Sequence, residues 1–222
     1  MLFSYATARS IFTASTVTEG LFPKLPVIVN NGSFIMDVPT RKRIVVNQFT
    51  DSEAQDIYTT LCKYQIAPLV DAIINEQEKF SYEERAINPA LAEFVAARKN
   101  DGRDNPLTDT SVMLQGTVFY FTCIGEEEKL RAAYTVLRKT CIFQFDIYSH
   151  EPWLEIMPHT ASKAHAILQL KEHYHCNKVV VFGDGANDIP MFHVADEGYA
   201  MKNAIDALKE IATAVIDSNE ND

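Results

Sequence analysis

Two short runs of apolar, mostly β-branched residues each end in turn residues. The run 26–29 (Pro-Val-Ile-Val) leads into 30–32 (Asn-Asn-Gly), and the run 178–182 (Lys-Val-Val-Val-Phe) leads into a Gly-Asp-Gly turn. Continuous apolar runs of this length are typical of strands that are buried on both faces, as in a parallel sheet covered by helices. Each run therefore predicts a buried strand whose carboxyl end carries a polar loop.

Helical periodicity follows and separates these runs. Residues 162–174 predict a helix capped by Ser162 or Thr160, residues 203–211 predict a second helix, and residues 214–216 predict another strand. One side of the first helix carries Ala164, Ile167, Leu168 and Lys171. The alternation of strand and helix predicts an α/β fold with a mostly parallel sheet.

The middle of the chain has a different pattern. Helices are predicted at 51–65 and 126–138, strands at 116–122 and 142–148, and a loop at 101–106. This content predicts a separate α+β insert at 47–150, carried by a core domain that comprises 1–46 and 151–222.

Composition narrows the function classes. The formal net charge of −10 argues against a nucleic-acid groove or an anionic membrane surface as partner. No stretch approaches the roughly 20 apolar residues that a membrane-spanning helix needs. The four cysteines form no Cys-x-x-Cys pair, which fits a reducing compartment. We therefore expect a soluble, cytoplasmic protein.

The stretch 183–191 (Gly-Asp-Gly-Ala-Asn-Asp-Ile-Pro-Met) carries the most informative chemistry. It places two carboxylates and a carboxamide at the carboxyl end of a predicted strand, where open α/β sheets bind ligands. Glycine allows close approach of the backbone to a ligand, and hard oxygen donors suit Mg²⁺. The Gly-Asp-Gly triplet alone is a common turn, so the specificity comes from the longer run.

This run is similar to the fourth motif of the haloacid dehalogenase (HAD) superfamily, in the form used by Cof-like, capped phosphatases. Three further stretches resemble family motifs in the expected order: 5–9 (Tyr-Ala-Thr-Ala-Arg), 30–37 (Asn-Asn-Gly-Ser-Phe-Ile-Met-Asp), and 155–158 (Glu-Ile-Met-Pro) followed by Ser162-Lys163. The resemblance covers essentially the whole chain. It implies a Rossmann-like core with an inserted, type IIB-like α+β cap.

The resemblance also implies an aspartyl-phosphate mechanism with Mg²⁺ as cofactor and a small phosphorylated metabolite, such as a sugar phosphate, as substrate. By that resemblance, the catalytic residues are Lys163, Asp184 and Thr7. The substrate-binding residues are Thr7, Ala8, Lys163 and Asn187. The metal-binding residues are Asp184 and Asp188. Lys163 would neutralise phosphate charge, and Asp188 would support the metal or Lys163. The cap would set specificity.

The chain departs from the family at the nucleophile. Family resemblance places an Asp-x-Asp-Gly-Thr motif upstream of Tyr5, yet no two aspartates stand two residues apart in this sequence. We therefore expect a fragment of a longer reading frame, with little or no turnover by these 222 residues. The alternative is a non-catalytic relative that binds a phosphorylated ligand or regulates a partner.

Other polar residues have structural interpretations. His173, His175 and Cys176 are close in sequence, but residues two apart on a helix do not share a face, so surface positions are favoured over a zinc site. His165 is likewise expected to be solvated. Arg9 follows the second motif and either contacts phosphate or forms a salt bridge.

Overall fold

The computed structural model describes residues 2–21, 23–100, 102–138, 142–148 and 151–219, with backbone alone for 142–148 and 151. The chain divides into two compact units. Unit 1 comprises residues 1–46 and 160–222, and unit 2 comprises residues 47–159.

The described residues form the following elements in chain order. The helices are α1 (Ile11–Val17), α2 (Asp51–Lys63), α3 (Pro89–Ala96), α4 (Glu127–Leu137), α5 (Lys163–His173), α6 (Ile189–Val194) and α7 (Asp206–Ile211). The strands are β1 (Val27–Val29), β2 (Phe34–Met36), β3 (Arg43–Val46), β4 (Leu69–Ile74), β5 (Gln77–Glu83), β6 (Asp104–Leu107), β7 (Thr117–Ile124), β8 (Ile142–Tyr148), β9 (Glu151–Met157), β10 (Val180–Gly183), β11 (Glu197–Met201) and β12 (Ala214–Ile216). Short 3₁₀ turns lie at Asn30–Gly32, Thr110–Val112 and Ala186–Asp188.

The first sheet of unit 1 contains the predicted strand at 26–29. Its order is β1-β2-β3, and both pairings are antiparallel. All three residues of β1 are buried, which agrees with the apolar run. A parallel bridge joins Ala6 to Ile28, so the segment before α1 lies along the edge of β1.

Helix α5 begins where the sequence predicts, because the Ser162 hydroxyl accepts a hydrogen bond from the His165 backbone N–H at 3.0 Å. Its buried residues are Lys163, Ala166 and Leu170. The last two pack against Ile28 and Ile35 of the first sheet. Of the residues grouped on one side from the sequence, Ile167 packs against the core and Leu168 is 44% exposed.

The second sheet of unit 1 is parallel, with the order β10-β11-β12. One face packs on α6 and α7 through Val181, Met191, Phe192, Ala200 and Leu208. On the other face Phe182 stacks on Tyr199 at 5.5 Å between ring centroids, and Phe182 remains 54% exposed. The predicted strands at 178–182 and 214–216 are confirmed, whereas α7 begins at Asp206 instead of residue 203.

Unit 2 is built on a six-stranded sheet with the order β6-β5-β4-β7-β9-β8. Only the β5–β6 pairing is parallel within it. Helices α2 and α4 cover one face, where Ile57, Leu61 and Leu130 pack against Val70 and Phe121. Helix α3 packs elsewhere on the sheet, and its Leu91 and Val95 contact Leu69, Phe80 and Trp153.

Some of the elements predicted for unit 2 are confirmed, and others differ in the structure. Helix α2 begins at Asp51 as predicted, after a capping box between Thr50 and Glu53, and α4, β7 and β8 are confirmed. The loop predicted at 101–106 is partly wrong, because residues from Asp104 pair with β5. Strand β9 pairs with β7 and β8, so the boundary lies at 159/160 instead of the predicted 150/151.

Among the described residues, no helix has the length and apolar character needed to cross a membrane.

Candidate functional site

The loop after β10 folds around the side chain of Asp188. One carboxylate oxygen, Oδ2, accepts hydrogen bonds from the backbone N–H groups of Asp184 at 3.0 Å and Gly185 at 3.1 Å. A Cβ on Gly183 would lie 2.8 Å from the Asp188 side chain, so glycine is required there by close approach. Gly183 therefore makes room for Asp188, the second aspartate of the motif.

Lys163 binds the other carboxylate oxygen of Asp188. Its Nζ donates to Asp188 Oδ1 at 2.6 Å, and the two side chains are only 6% and 8% exposed. A buried ion of either sign is costly unless it is paired and hydrogen-bonded, so these two side chains depend on each other. This contact joins the amino end of α5 to the loop after β10.

Asp184 offers the accessible carboxylate of the site. The residue is exposed, and its Oδ2 accepts a long hydrogen bond of 3.4 Å from the Asn219 side chain. Both oxygens of Asp188 are engaged by Lys163 and the loop backbone. The described residues contain no group of three or more His, Cys, Asp or Glu side chains that could hold a metal ion. Mg²⁺ commonly uses only one or two carboxylates together with water and substrate phosphates, and Asp184 fits that sparse arrangement.

The second-motif residues lie beside β1. The Thr7 backbone N–H donates to the Ile28 carbonyl at 2.9 Å, and Thr7 Oγ1 accepts from the Arg9 backbone N–H at 3.1 Å. Ala8 and Arg9 are exposed. Arg9 forms no ion pair with any described residue, so the salt-bridge alternative is not observed.

The turn Asn30–Gly32 connects the separate pieces of the site. The Asn31 backbone N–H donates to the Thr7 carbonyl at 3.0 Å, and the Asn187 amide donates to Asn31 Oδ1 at 3.3 Å. A Cβ on Gly32 would lie 2.4 Å from the Ser162 carbonyl oxygen, at the start of α5. The turn thus contacts the Thr7 segment, the Asn187 loop and the cap of α5.

The side chain of Asn31 was not assigned a role from the sequence. The Asn-Asn-Gly triplet did indicate a turn, since asparagine and glycine tolerate left-handed backbone conformations. The partner of the Asn31 carboxamide could not be inferred, because Asn187 lies 156 positions away.

The structure groups Thr7, Lys163, Asn187, Asp184 and Asp188 in unit 1. The third-motif segment is divided, because 155–158 belong to β9 and the residue after it in unit 2, whereas Lys163 belongs to unit 1. The catalytic, binding and metal roles of these residues stay predictions.

The histidines among the described residues do not form a second centre. His165 is exposed, and the His173 ring packs edge-on against Tyr174 at 4.9 Å between centroids. The described part of the chain has no zinc-like grouping around them.

A charged cluster lies within unit 2, around Asp71 of β4. Burial raises the pKa of the Asp71 carboxyl to about 7. The positive charges of Arg103 and Arg98 oppose this rise in pKa, and the negative charges of Glu78 and Glu155 add to it. Arg103 and Glu78 are themselves buried, so the cluster combines ions of both signs inside the unit.

The comparisons with known proteins agree on one family. The family model of haloacid dehalogenase-like hydrolases matches residues 1–222. YkrA of Bacillus subtilis, named for an inferred phosphatase activity, is 33% identical over 135 residues, which span 59% of this chain and 48% of that protein. YwtE of Bacillus subtilis, named as a 5-amino-6-(5-phospho-D-ribitylamino)uracil phosphatase, is 25% identical over 99% of this chain and 82% of its own length.

Solved structures share the fold. A haloacid dehalogenase-like hydrolase from Bacteroides thetaiotaomicron has a TM-score of 0.76 and 19% identity, covering 99% of this chain and 82% of that one. TM0651 from Thermotoga maritima has a TM-score of 0.76 and 22% identity, covering 98% and 80%. The predicted fold class is thereby confirmed.

Proposed function

The chain belongs to the haloacid dehalogenase-like hydrolase family, and we propose that unit 1 binds the phosphoryl group of a small phosphorylated metabolite for Mg²⁺-dependent phosphatase chemistry. The observation that carries this proposal is the buried pair of Lys163 and Asp188, which fixes a cation beside the Asp184–Asn187 loop. A phosphoryl group needs fixed positive charge and hydrogen-bond donors around its oxygens, and positioning of this kind dominates phosphoryl-transfer catalysis.

Each residue has a distinct task in this proposal. Lys163 is the first residue of the eleven-residue helix α5, so its ammonium adds to the positive end of the helix dipole. The Asn187 carboxamide and the Thr7 hydroxyl supply uncharged hydrogen-bonding groups for phosphate oxygens. Ala8 is exposed and lies next to Thr7, so its backbone N–H is a further candidate donor.

Asp184 is the residue that we assign to Mg²⁺. The bound ion would offset negative charge on the phosphate. Asp188 is better suited to holding Lys163 and the loop backbone, since direct metal binding would require it to release one of those partners. We therefore propose that Asp188 supports the metal site indirectly, by holding the loop that carries Asp184.

We propose little or no turnover for these 222 residues, because the family's aspartyl-phosphate chemistry needs an aspartate pair that the sequence does not contain. The second candidate function follows from the same observation. A chain that keeps Lys163, Asp184 and Asn187 without the nucleophile can bind a phosphorylated ligand as a sensor or regulator.

The substrate class is a small, polar phosphate ester such as a sugar phosphate. One relative is named for a phosphorylated ribitylamino compound, which supports a polyol phosphate. The net charge of −10 favours a small ligand over nucleic acid. We propose a cytoplasmic location because the four cysteines are scattered and lack the spacing of a disulfide framework.

Hydrolysis of an aryl phosphate by the purified chain tests this function. Rates are measured with and without Mg²⁺ and beside Asp184→Asn, while binding of inorganic phosphate is followed in parallel. Phosphate binding without turnover supports the binding function. Mg²⁺-dependent turnover that disappears in Asp184→Asn supports a phosphatase with another nucleophile. If the chain neither binds phosphate nor hydrolyses the aryl phosphate, the proposed function is wrong.

A further inference from the structure

The turn Asn30–Gly32 has an unusual backbone for a buried segment. Three consecutive residues have positive φ: Asn30 at 49°, Asn31 at 53° and Gly32 at 99°. Asn30 is 8% and Asn31 4% exposed. Asparagine and glycine adopt left-handed backbone as single residues, so three such residues in succession in a buried segment need support from the surrounding structure.

The left-handed conformation of Asn31 lets this one residue contact two segments. Its backbone N–H donates to the Thr7 carbonyl at 3.0 Å, and its side-chain Oδ1 accepts from Asn187 Nδ2 at 3.3 Å. A carboxamide that donates through Nδ2 to a fixed acceptor has its plane and the direction of its Oδ1 and second N–H restricted. Asn31 therefore holds Thr7 and Asn187 in one arrangement.

Gly32 allows the turn to lie directly against the residue before α5. There is no room for a side chain, because a Cβ would lie 2.4 Å from the Ser162 carbonyl oxygen and 2.9 Å from the Ser162 nitrogen. Ser162 caps the helix that begins with Lys163. The turn therefore lies against Ser162, the residue that precedes the buried Lys163.

We propose that Asn31 is a positioning residue that orients the Asn187 carboxamide toward a bound phosphoryl group. This inference rests on the proposed function and assigns a role to a side chain outside the predicted site. Asn31 acts through Asn187 and does not itself have to contact the ligand.

Titration with inorganic phosphate in the presence of Mg²⁺ provides the test, with the full chain and four variants. Asn31→Gly removes the carboxamide and tolerates the left-handed backbone. Asn30→Gly is the matched control, since it makes the same replacement in the same turn without a contact to Asn187. Asn187→Ala and the double variant Asn31→Gly/Asn187→Ala complete a double-mutant cycle, which separates coupling from general destabilisation.

Loss of one neutral hydrogen bond predicts that Asn31→Gly weakens phosphate binding about fivefold. Asn30→Gly should bind within about twofold of the wild type, a difference of less than 0.5 kcal/mol. The double variant should bind no more weakly than Asn187→Ala, because the Asn31 side chain acts only through Asn187. The Asn187 side-chain amide signals in the NMR spectrum should shift in Asn31→Gly even without phosphate.

Three results would overturn the inference. Asn31→Gly could bind phosphate as the wild type does, the two single effects could be additive, or the Asn187 amide signals could stay in place. A wild-type chain that binds no phosphate would instead refute the proposed function, and the inference would fall with it. The two failures are distinguished by the wild-type titration.

Discussion

Lys163 and Asp188 are both nearly excluded from solvent, so removal of one leaves the other as an uncompensated buried charge. Lys163→Met should lower the free energy of unfolding by about 3 kcal/mol, the scale of other broken buried ion pairs. Urea denaturation of the wild type and the variant measures this difference.

The double variant Lys163→Met/Asp188→Asn is the control, because it leaves neither charge behind. It should recover part of the lost stability, since a neutral pair of similar size is often tolerated in place of a buried ion pair. Equal stability of Lys163→Met and the wild type would contradict the structural role given to this pair.

At the scale of the element, the turn Asn30–Gly32 depends on close packing as well as on conformation. Gly32→Ala should destabilise unit 1 strongly, because the new Cβ would lie 2.4 Å from a backbone oxygen and φ is +99°. Gly20→Ala is the matched control, since φ is +85° and nothing lies within 4 Å of its Cβ. It should cost only about 1 kcal/mol of backbone strain. Thermal unfolding of both variants separates the two causes, and equal losses would refute the packing argument.

Asp71 predicts a pH dependence of stability in unit 2. Its folded pKa of about 7 is above the ordinary value of 3.8, so the folded form binds the proton more tightly. The stability from this group is therefore full below about pH 4 and is lost as the pH rises toward 7, by about 1.4 kcal/mol for each unit of difference in pKa.

Asp71→Asn removes that loss, so the variant should be more stable than the wild type at pH 8 and similar to it at pH 4. Urea denaturation at the two pH values measures this. Asp109→Asn is a control, because hydrogen bonds from Ser111 lower the pKa of Asp109, an effect of opposite sign. Identical pH profiles of the wild type and Asp71→Asn would show that the carboxyl does not titrate in this range.

Elements whose ends are marked by neighbouring residues were predictable from the sequence. Elements whose place depends on residues far away along the chain were less predictable. Helices α2 and α5 follow the N-cap residues Thr50 and Ser162, each of which accepts a hydrogen bond from the residue three positions later. Strand β9 carries no local sign that it pairs with β7 and β8, so residues 151–157 were assigned to the core domain instead of the insert. The stretch 183–191 predicted a polar loop, but the contact between Asn31 and Asn187 joins residues 156 positions apart and forms only in the folded chain.

At the scale of the whole molecule, apolar exposure is concentrated in unit 1. Of the 14 large hydrophobic side chains exposed among the described residues, only Val112 and Val136 belong to unit 2. Phe182 and Val180 are exposed on β10, whose pairing partner in the described part of the chain is β11. A strand with an open edge and apolar side chains favours association.

We therefore expect concentration-dependent self-association that Phe182→Ser reduces. Sedimentation velocity over a range of protein concentrations measures this. Val136→Ser is the matched control, since Val136 is 53% exposed but lies on α4 of unit 2. A monomer at every concentration, or an equal effect of the two variants, would contradict this prediction.

The central claim is that unit 1 binds a phosphoryl group, and isothermal titration of the chain with inorganic phosphate and Mg²⁺ tests it most directly. Asn187→Ala should weaken binding about tenfold, the scale of one hydrogen bond to a charged group. Asn105→Ala serves as the control, because its amide bonds to Ser81 within unit 2, and it should bind as the wild type does. No binding by the wild type, or equal affinity of Asn187→Ala and the wild type, would contradict the account.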